Sequence, residues 1–221
     1  VSKRYRVGRS RTVVDVVASA IARGRGRSAD VYSVSRGRVD SNIWALKDVG
    51  ADCVVSVASV GGIRSDIGPG MLVLPDQIID YTWGRSSTYF EGAGVPVHHI
   101  DFTVPYSAPL RKRILHAATA CKEEIVDGGV YAATQGPRLE TAAEITRLER
   151  DGAHIVGMTG MPEAALAREV SLDYATIAVV ANYAAGRADS ARAVPLDKIG
   201  EVLDHAMVRV RHILEKFCEK K

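Results

Sequence analysis

The segment "YAATQGPRLETAAEITRLERDGAHIVGM", residues 131–158, decides the fold class. Spacing predicts a strand in "GGVYAATQGP", a helix in "ETAAEITRLERDG" and a second strand in "AHIVGMTG". Thr141 is the predicted helix N-cap, because its hydroxyl can accept from the backbone N–H of Glu144 while the Glu144 carboxylate reaches back. Strand, helix and strand in immediate succession indicate an α/β protein.

The rest of the chain continues this alternation. Further strands are predicted in "ADVYSVSRG", "DCVVSVASVGGI", "GPGMLVLPDQIIDYT" and "YATIAVVANYAAG". Further helices are predicted in "RTVVDVVASAIARG", "SNIWALKDVGA" with Ser41 or Asn42 as its cap, "PLRKRILHAATACKE", "MPEAALAREVS" and "PLDKIGEVLDHAMVRVRHILEKFCEK". Because the strands are apolar throughout, we predict a three-layer α/β sandwich with a mixed, largely buried central sheet flanked by helices.

Composition narrows the class of protein. The 221 residues, 47% of them hydrophobic, suffice for one sizeable core, so we predict a single domain over residues 1–221. A net charge of +3 is too small to indicate nucleic-acid binding, and no apolar run is long enough to cross a membrane. Cys53, Cys121 and Cys218 have no ligand spacing, and their odd number favours reduced thiols. We therefore expect a cytoplasmic protein without a nucleic-acid or membrane partner.

Polar residues follow four of the predicted strands, where open α/β sheets bind ligands. The small residues 59–62, which begin with Ser59, predict a loop whose backbone N–H groups suit an anion. Glu140 stands where an apolar staple usually precedes the cap, Thr159 lies just before a helix, and Asn182 ends a strongly apolar strand. Taken singly, these residues also fit an ordinary turn, a solvated acid, a simple cap and a structural amide. Together they predict a pocket.

Long motifs resemble one known family. "YAATQGPRLETAAEITRLERDGAHIVGMTGMPEAALARE", "NIWALKDVGAD", "ASVGGIRSDIGPGMLVLPDQIIDYT" and "HHIDFTVPYS" are similar, in the same order, to the trimeric purine nucleoside phosphorylases. The branch that includes methylthioadenosine and methylthioinosine phosphorylases is most similar, and the resemblance covers about residues 42–215. It implies a nucleoside phosphorylase-like fold, a cytosolic homotrimer or hexamer, and no metal or cofactor. The implied reaction splits a purine nucleoside with inorganic phosphate into free base and a sugar 1-phosphate.

The resemblance also implies site residues. Ser59, with Ala58 before it, and Thr159 fall on phosphate-binding positions of the family, and Arg36 stands near a phosphate-binding Arg-His pair that this chain lacks. The implied substrate-binding residues are Glu140 at the base N1–H, Leu139 beside it, Met158 under the ribose, His99 near a neighbouring subunit's sugar pocket, and Asn182 at purine N7 and O6.

Reaction chemistry supports these roles. Cleavage of the glycosidic bond leaves positive charge on the sugar and negative charge on the departing purine, so an amide donor from Asn182 is the predicted catalytic group. Relatives that cleave adenine nucleosides carry Asp at the positions of Asn182 and Ala184. A carboxylate at Glu140 also suits the N1–H that hypoxanthine has and neutral adenine lacks. We therefore predict methylthioinosine, inosine or guanosine as the substrate.

The N-terminal part, about residues 1–41, is shortened or atypical for the family. The family's G-G-[ST]-G phosphate loop and its Arg-His-Gly segment have no counterpart here, although Arg36 or Arg38 offers a substitute cation. Three hypotheses follow: a working phosphorylase, which we favour; a catalytically impaired relative that binds purines or nucleosides or assembles with other subunits; and a hydrolase that uses water. Phosphate dependence of turnover distinguishes them.

Overall fold

The computed structural model describes residues 17–22, 30–34 and 39–219, and side chains from residue 42 onward. The described strands are β1 (Val17–Ala22), β2 (Asp30–Val34), β3 (Ala51–Gly62), β4 (Leu72–Leu74), β5 (Gln77–Asp80), β6 (Val126–Asp127), β7 (Val130–Ala133), β8 (Ile155–Gly157) and β9 (Asp173–Tyr183). The described helices are α1 (Val39–Asp48), α2 (Ala108–Ala120), α3 (Ala142–Arg150), α4 (Glu163–Glu169) and α5 (Leu196–Cys218), with a 3₁₀ turn at Ala188–Ser190.

All these strands belong to one mixed sheet. Its order is β5-β7-β8-β3-β9-β4-β6, and β1 joins it by pairing with both β3 and β2. Strand β3 is parallel to β9 but antiparallel to β8, while β7 is parallel to both β5 and β8. The predicted mixed sheet is therefore confirmed.

Helices cover this sheet on both faces, because alternate residues of the central strands point to opposite sides. On one face, Val54 of β3 belongs to the buried cluster that contains Ile43 of α1 and Leu166 of α4. On the other face, Val55 belongs to the cluster that contains residues of α2 and α5, such as Ile114. The three-layer sandwich is thus confirmed, and β3 lies at its centre.

Strand β3 is also where the sheet divides. Its first part pairs with β1 as far as Val57, and its end pairs with β8 from Gly61 onward, while β9 follows its other edge. Ser59 lies between these two pairings and is exposed in an otherwise largely buried strand. The division therefore opens one polar side chain of the central strand to solvent.

The predicted loop at residues 59–62 is wrong, because this segment continues β3. Gly61 and Gly62 pair with both β8 and β9. A Cβ added at Gly62 would lie 2.1 Å from the carbonyl oxygen of Ile67. These glycines allow close backbone packing rather than a turn.

Other boundaries also differ from expectation. The helix predicted in "RTVVDVVASAIARG" is wrong, because its residues 17–22 form the strand β1. Val17 of β1 lies opposite Val57 of β3. A short run rich in Val and Ile fits either period, and pairing with β3 decides the outcome. Helix α1 begins at Val39, so Ser41 and Asn42 lie inside it instead of capping it.

The single strand predicted in "GPGMLVLPDQIIDYT" is two strands, β4 and β5, because β4 ends just before Pro75. Proline has no backbone N–H for a ladder, so the run cannot continue as one strand. Strand β4 pairs with β9, whereas β5 pairs with β7 at the far side of the sheet. The short β6 was not predicted, because its two residues, Val126 and Asp127, carry no periodic signal.

The predicted capping box at the start of α3 is confirmed. Thr141 Oγ1 accepts from Glu144 N at 3.1 Å, and the Thr141 backbone N–H donates to Glu144 Oε2 at 2.8 Å. Glu144 also accepts from Arg138, and together these contacts lower the pKa of Glu144 to about 2. The turn before α3, which contains Glu140, is therefore fixed to the helix start.

We expect Thr141→Ala to lower the free energy of unfolding by about 1 kcal/mol, because one backbone N–H of α3 loses its acceptor. Urea unfolding measures this change. Thr146→Ala, in the interior of α3, is the matched control and should stay within about 0.5 kcal/mol of the parent. Equal losses in the two variants would contradict the capping role of Thr141.

Candidate active site

The end of β8 approaches the opening in β3. Val156 of β8 lies opposite Gly61, and continuing this antiparallel register brings Met158 level with Ser59. A Cβ added at Gly157 would lie 3.1 Å from Val60 Cγ1, so the two backbones are close here. The structure thus brings together the predicted Ser59 and the turn that begins at Met158.

Thr159, in that turn, is held from inside by Tyr131 of β7. The Thr159 backbone N–H donates to the Tyr131 hydroxyl at 3.2 Å, and the Thr159 hydroxyl lies 3.5 Å from the same oxygen. Tyr131 is fully buried, and burial raises the pKa of its hydroxyl. A Cβ added at Gly160 would lie 2.8 Å from the Tyr131 ring. The Thr159 turn is therefore shaped around a neutral, buried tyrosine.

Glu140 opens onto a cleft next to this turn. Its Oε1 accepts from the Thr134 hydroxyl at 2.6 Å, and the Thr134 backbone N–H donates to Gly157 O at 2.8 Å. The cleft has a volume of about 320 Å³ and is lined by Tyr81, Trp83, Thr134, Gln135, Gly136, Arg138, Glu140, Glu144, Arg147 and Leu148. Glu140 is half-buried and bonded to the strand end, so a freely solvated acid does not describe it.

Asn182 lies on the other side of β3. It is the partner of Gly61 in the β3–β9 ladder, two residues beyond Ser59 along the central strand. Two residues of strand span roughly 7 Å, a separation on the scale of a nucleoside. The side-chain amide is half-buried and donates one N–H to Tyr183 O at 2.6 Å. Its second N–H and its carbonyl oxygen keep the capacity to donate and accept.

The remaining predicted residues are not all brought to this place. Met158 packs against Gly136, whose added Cβ would lie 2.3 Å from the Met158 sulfur. Leu139 is 44% exposed beside Glu140. His99 is exposed in residues 81–107, which contain no helix or strand, and it does not line the cleft of Glu140. Arg36 lies outside the described residues, so its predicted role stays a prediction.

Sequence reasoning missed Arg85, which ties residues 81–107 to the site. Its guanidinium donates to backbone oxygens of Met158 and Thr134 at 2.8 and 3.2 Å, and to both oxygens of Gln135. No motif marks an arginine in the polar segment "WGRSST". Tyr131 could have been suspected from the sequence, because a tyrosine in an apolar strand is expected to be buried and its hydroxyl then needs a hydrogen-bond partner.

A buried acid lies behind the Thr159 turn. Glu163 begins α4, is 5% exposed and accepts from the Tyr174 hydroxyl at 2.8 Å. Burial raises the pKa of Glu163, against the opposing effect of the Tyr174 hydrogen bond. The raised pKa disfavours the charged form of this carboxyl and so reduces the negative charge behind the turn, which favours an anion in front of it.

This raised pKa predicts a pH dependence of stability. A carboxyl with a higher pKa in the folded chain stabilises the fold fully below its unfolded pKa, and this contribution is lost as pH rises through the folded pKa. Above the ordinary value of 4.5, the melting temperature of the parent should therefore fall relative to that of Glu163→Gln. Thermal unfolding across pH measures the difference, and the exposed Glu201→Gln is the control. A difference that does not change with pH would contradict the raised pKa.

The described part of the chain contains neither a metal-binding cluster nor a membrane-spanning helix. Its residues include no group of three or more His, Cys, Asp or Glu side chains arranged to hold a metal ion. None of its helices is both long enough and apolar enough to span a membrane.

Known proteins share this architecture. A family model described as the phosphorylase superfamily matches residues 33–219. A probable S-methyl-5'-thioinosine phosphorylase of Xanthomonas campestris pv. campestris is 52% identical over 174 residues, which cover 79% of this chain and 68% of the relative. A 6-oxopurine nucleoside phosphorylase of Pyrococcus furiosus is 41% identical over 175 residues, covering 77% of this chain and 65% of the relative.

A solved structure of a nucleoside phosphorylase has a similar fold. Methylthioadenosine phosphorylase from Schistosoma mansoni, in complex with adenine, superposes with a TM-score of 0.77 at 28% identity, covering 82% of this chain and 69% of the other. The fold and the polar strand ends therefore define a nucleoside phosphorylase-like α/β enzyme. The chain belongs to the phosphorylase superfamily. The predicted resemblance and the expectation of a phosphorylase are confirmed, whereas the roles of individual residues stay predictions.

Proposed function

We propose that this protein is a 6-oxopurine nucleoside phosphorylase that converts methylthioinosine, inosine or guanosine, with inorganic phosphate, into free base and a sugar 1-phosphate. The observation that carries the proposal is that Ser59, the Thr159 turn and Asn182 lie near one end of β3, while Glu140 is bonded to Thr134, whose backbone pairs with Gly157 of β8. The names of the Xanthomonas and Pyrococcus relatives support the same substrate class.

The base assignment rests on side chains, because the fold alone does not select a base. The Schistosoma structure of similar fold holds adenine. In this chain the remaining N–H of Asn182 can donate to purine N7 or to an oxygen at C6, and Glu140 can accept from N1–H. Ala184 removes the second Asp that the resemblance associates with adenine nucleosides. These three positions favour hypoxanthine or guanine over adenine.

The phosphate assignment rests on the other end of the opening. Thr159 offers a hydroxyl at a turn that Tyr131 fixes, and Ser59 offers an exposed hydroxyl across from it. The raised pKa of Glu163, caused by burial, reduces the negative charge that would oppose an anion in this region. We expect phosphate to act as a co-substrate, without a metal or an organic cofactor.

The mechanism needs no nucleophilic side chain. Phosphate beneath the sugar stabilises the positive charge that develops as the glycosidic bond breaks, and it forms the new bond to the anomeric carbon. The leaving purine gathers negative charge, which a hydrogen bond from Asn182 to N7 stabilises. Glu140 holds the base by N1–H, so that N7 faces Asn182. Binding both substrates in one site supplies the orientation that the displacement requires.

The subunit arrangement belongs to the same proposal. Residues 81–107 expose large apolar side chains, with Trp83 at 72% and Val97 at 77% exposure, and they include His99. Exposed apolar residues in such number are typical of an interface. We propose a homotrimer, or a hexamer of two trimers, in which His99 reaches a neighbouring sugar pocket.

The release of base from 6-oxopurine nucleosides, compared with its release from adenine nucleosides, tests the proposal. Purified protein is incubated in phosphate buffer with inosine, guanosine and methylthioinosine, and in parallel with adenosine and methylthioadenosine, and free base is followed by chromatography. We expect hypoxanthine and guanine to form much faster than adenine. Adenine as the main product would overturn the base assignment, while no product from any nucleoside would favour the impaired, nucleoside-binding relative.

A further inference from the structure

We propose that Arg85 is a positioning residue that sets the distance between the two sides of the site. The inference rests on the proposed function, in which one side holds the base and the other holds sugar and phosphate. Arg85 lies outside the strand ends, on residues 81–107. Its guanidinium bonds to the backbone of both sides at once.

On the base side, Arg85 Nη2 donates to Thr134 O at 3.2 Å and to Gln135 O at 2.9 Å. Its Nε donates to Gln135 Oε1 at 3.2 Å, and the same oxygen accepts from the Trp83 backbone N–H at 3.1 Å. The Thr134 hydroxyl is the donor to Glu140. Arg85 therefore fixes the backbone of Thr134, and the hydroxyl of Thr134 in turn positions Glu140, the proposed base-binding acid.

On the sugar and phosphate side, Arg85 Nη1 donates to Met158 O at 2.8 Å and to Met161 O at 2.5 Å. These two carbonyls flank the Thr159 turn. Tyr131 holds the turn from inside, and Arg85 holds it from outside. A planar fork of donors suits several carbonyl oxygens in fixed directions, which the single ammonium of lysine does not match.

Direct phosphate binding by Arg85 is a different hypothesis, and the geometry opposes it. A guanidinium has five N–H donors, and Arg85 makes five hydrogen bonds to protein oxygens. No donor remains for a ligand. The half-buried cation adds long-range attraction for an anion, but its contacts act through the residues that touch substrate.

Arg168 supplies a matched control. Like Arg85, it joins residues 81–107 to the rest of the fold through backbone carbonyls: Arg168 lies in α4 and donates to the carbonyls of Asp101, Val104 and Pro105. Those carbonyls lie at the other end of the segment and do not line the cleft of Glu140. Removing either arginine should destabilise the segment, but only Arg85 connects to the site.

The experiment compares Arg85→Ala, Arg85→Lys and Arg168→Ala with the parent. We expect both Arg85 variants to lose on the order of 10²-fold in kcat/KM for nucleoside, because a misplacement of about 1 Å has that effect. The KM for phosphate should rise in both. Millimolar ethylguanidinium should restore part of the activity of Arg85→Ala, and Arg168→Ala should lose melting temperature but lose much less kcat/KM than the Arg85 variants.

A second measurement is independent of turnover. Amide hydrogen exchange should become faster at residues 134–140 and 157–161 together in Arg85→Lys, and stay at the parent rate there in Arg168→Ala. Unchanged exchange at both segments, or equal kinetic constants in the Arg85 and Arg168 variants, would overturn the positioning role. A parent without phosphorolysis would contradict the proposed function instead, and exchange would still decide the role of Arg85.

Discussion

Asn182→Ala is expected to lower kcat/KM for inosine by about 10²–10³-fold, the usual loss when one donor to developing negative charge is removed. Asn182 lies beside Gly61 at the edge of the opening in β3, with one N–H and its oxygen still able to bond. The loss should fall mainly on kcat, because the purine gains charge only as the bond breaks. Steady-state kinetics with saturating phosphate measures it.

The control is Asn42→Ala, since Asn42 is the other asparagine of the chain and lies in α1. This variant should keep the parent's kcat/KM. Comparable activity in Asn182→Ala and the parent would contradict the role of the amide. A loss confined to KM would show that Asn182 binds the ground state instead of stabilising the leaving base.

Glu140→Ala is expected to lower kcat/KM for inosine by about 10–10²-fold, which corresponds to the loss of a hydrogen bond to a charged group. Neutral adenine has no N1–H to donate, so turnover of adenosine should not fall in parallel. The preference for inosine over adenosine should therefore shrink by a similar factor. The ratio of the two kcat/KM values, measured side by side, gives the result.

Glu144→Ala is the matched control, because it removes a second carboxylate that lines the same cleft but belongs to α3. Glu144 bonds to Thr141 and Arg138, not to the Thr134 hydroxyl that holds Glu140. It should lower stability and leave the base preference unchanged. An unchanged preference in Glu140→Ala, or a reduced one in Glu144→Ala, would contradict the assignment of Glu140 to the base.

Much of the architecture follows from local patterns in the sequence. The capping box of Thr141 and Glu144 predicts the start of α3, and long apolar runs predict β3 and β9. The pattern also predicts that Thr159 follows β8 and that Asn182 lies at the end of β9, because each position is set by the end of its own strand. These features need only short-range physics and the usual layering of strands and helices.

Features that depend on distant pairing were not predictable from the sequence. The segment 17–22 is a strand because β3 offers it an edge, and Gly62 continues a strand because Ile67 packs against it. Arg85 acts on residues 49 to 76 positions further along the chain, so no local spacing reveals it. Such contacts depend on the assembled fold and not on any single motif.

Phosphorolysis can be observed directly by ³¹P NMR of the protein with inosine and inorganic phosphate, followed together with hypoxanthine release. We expect each hypoxanthine formed to be matched by one phosphate converted into a sugar 1-phosphate, and base release to stop when phosphate is omitted. Hypoxanthine released while the phosphate signal stays constant would show hydrolysis and contradict the claim. Bound inosine without any released base would contradict it as well, and would identify a nucleoside-binding relative of the phosphorylases.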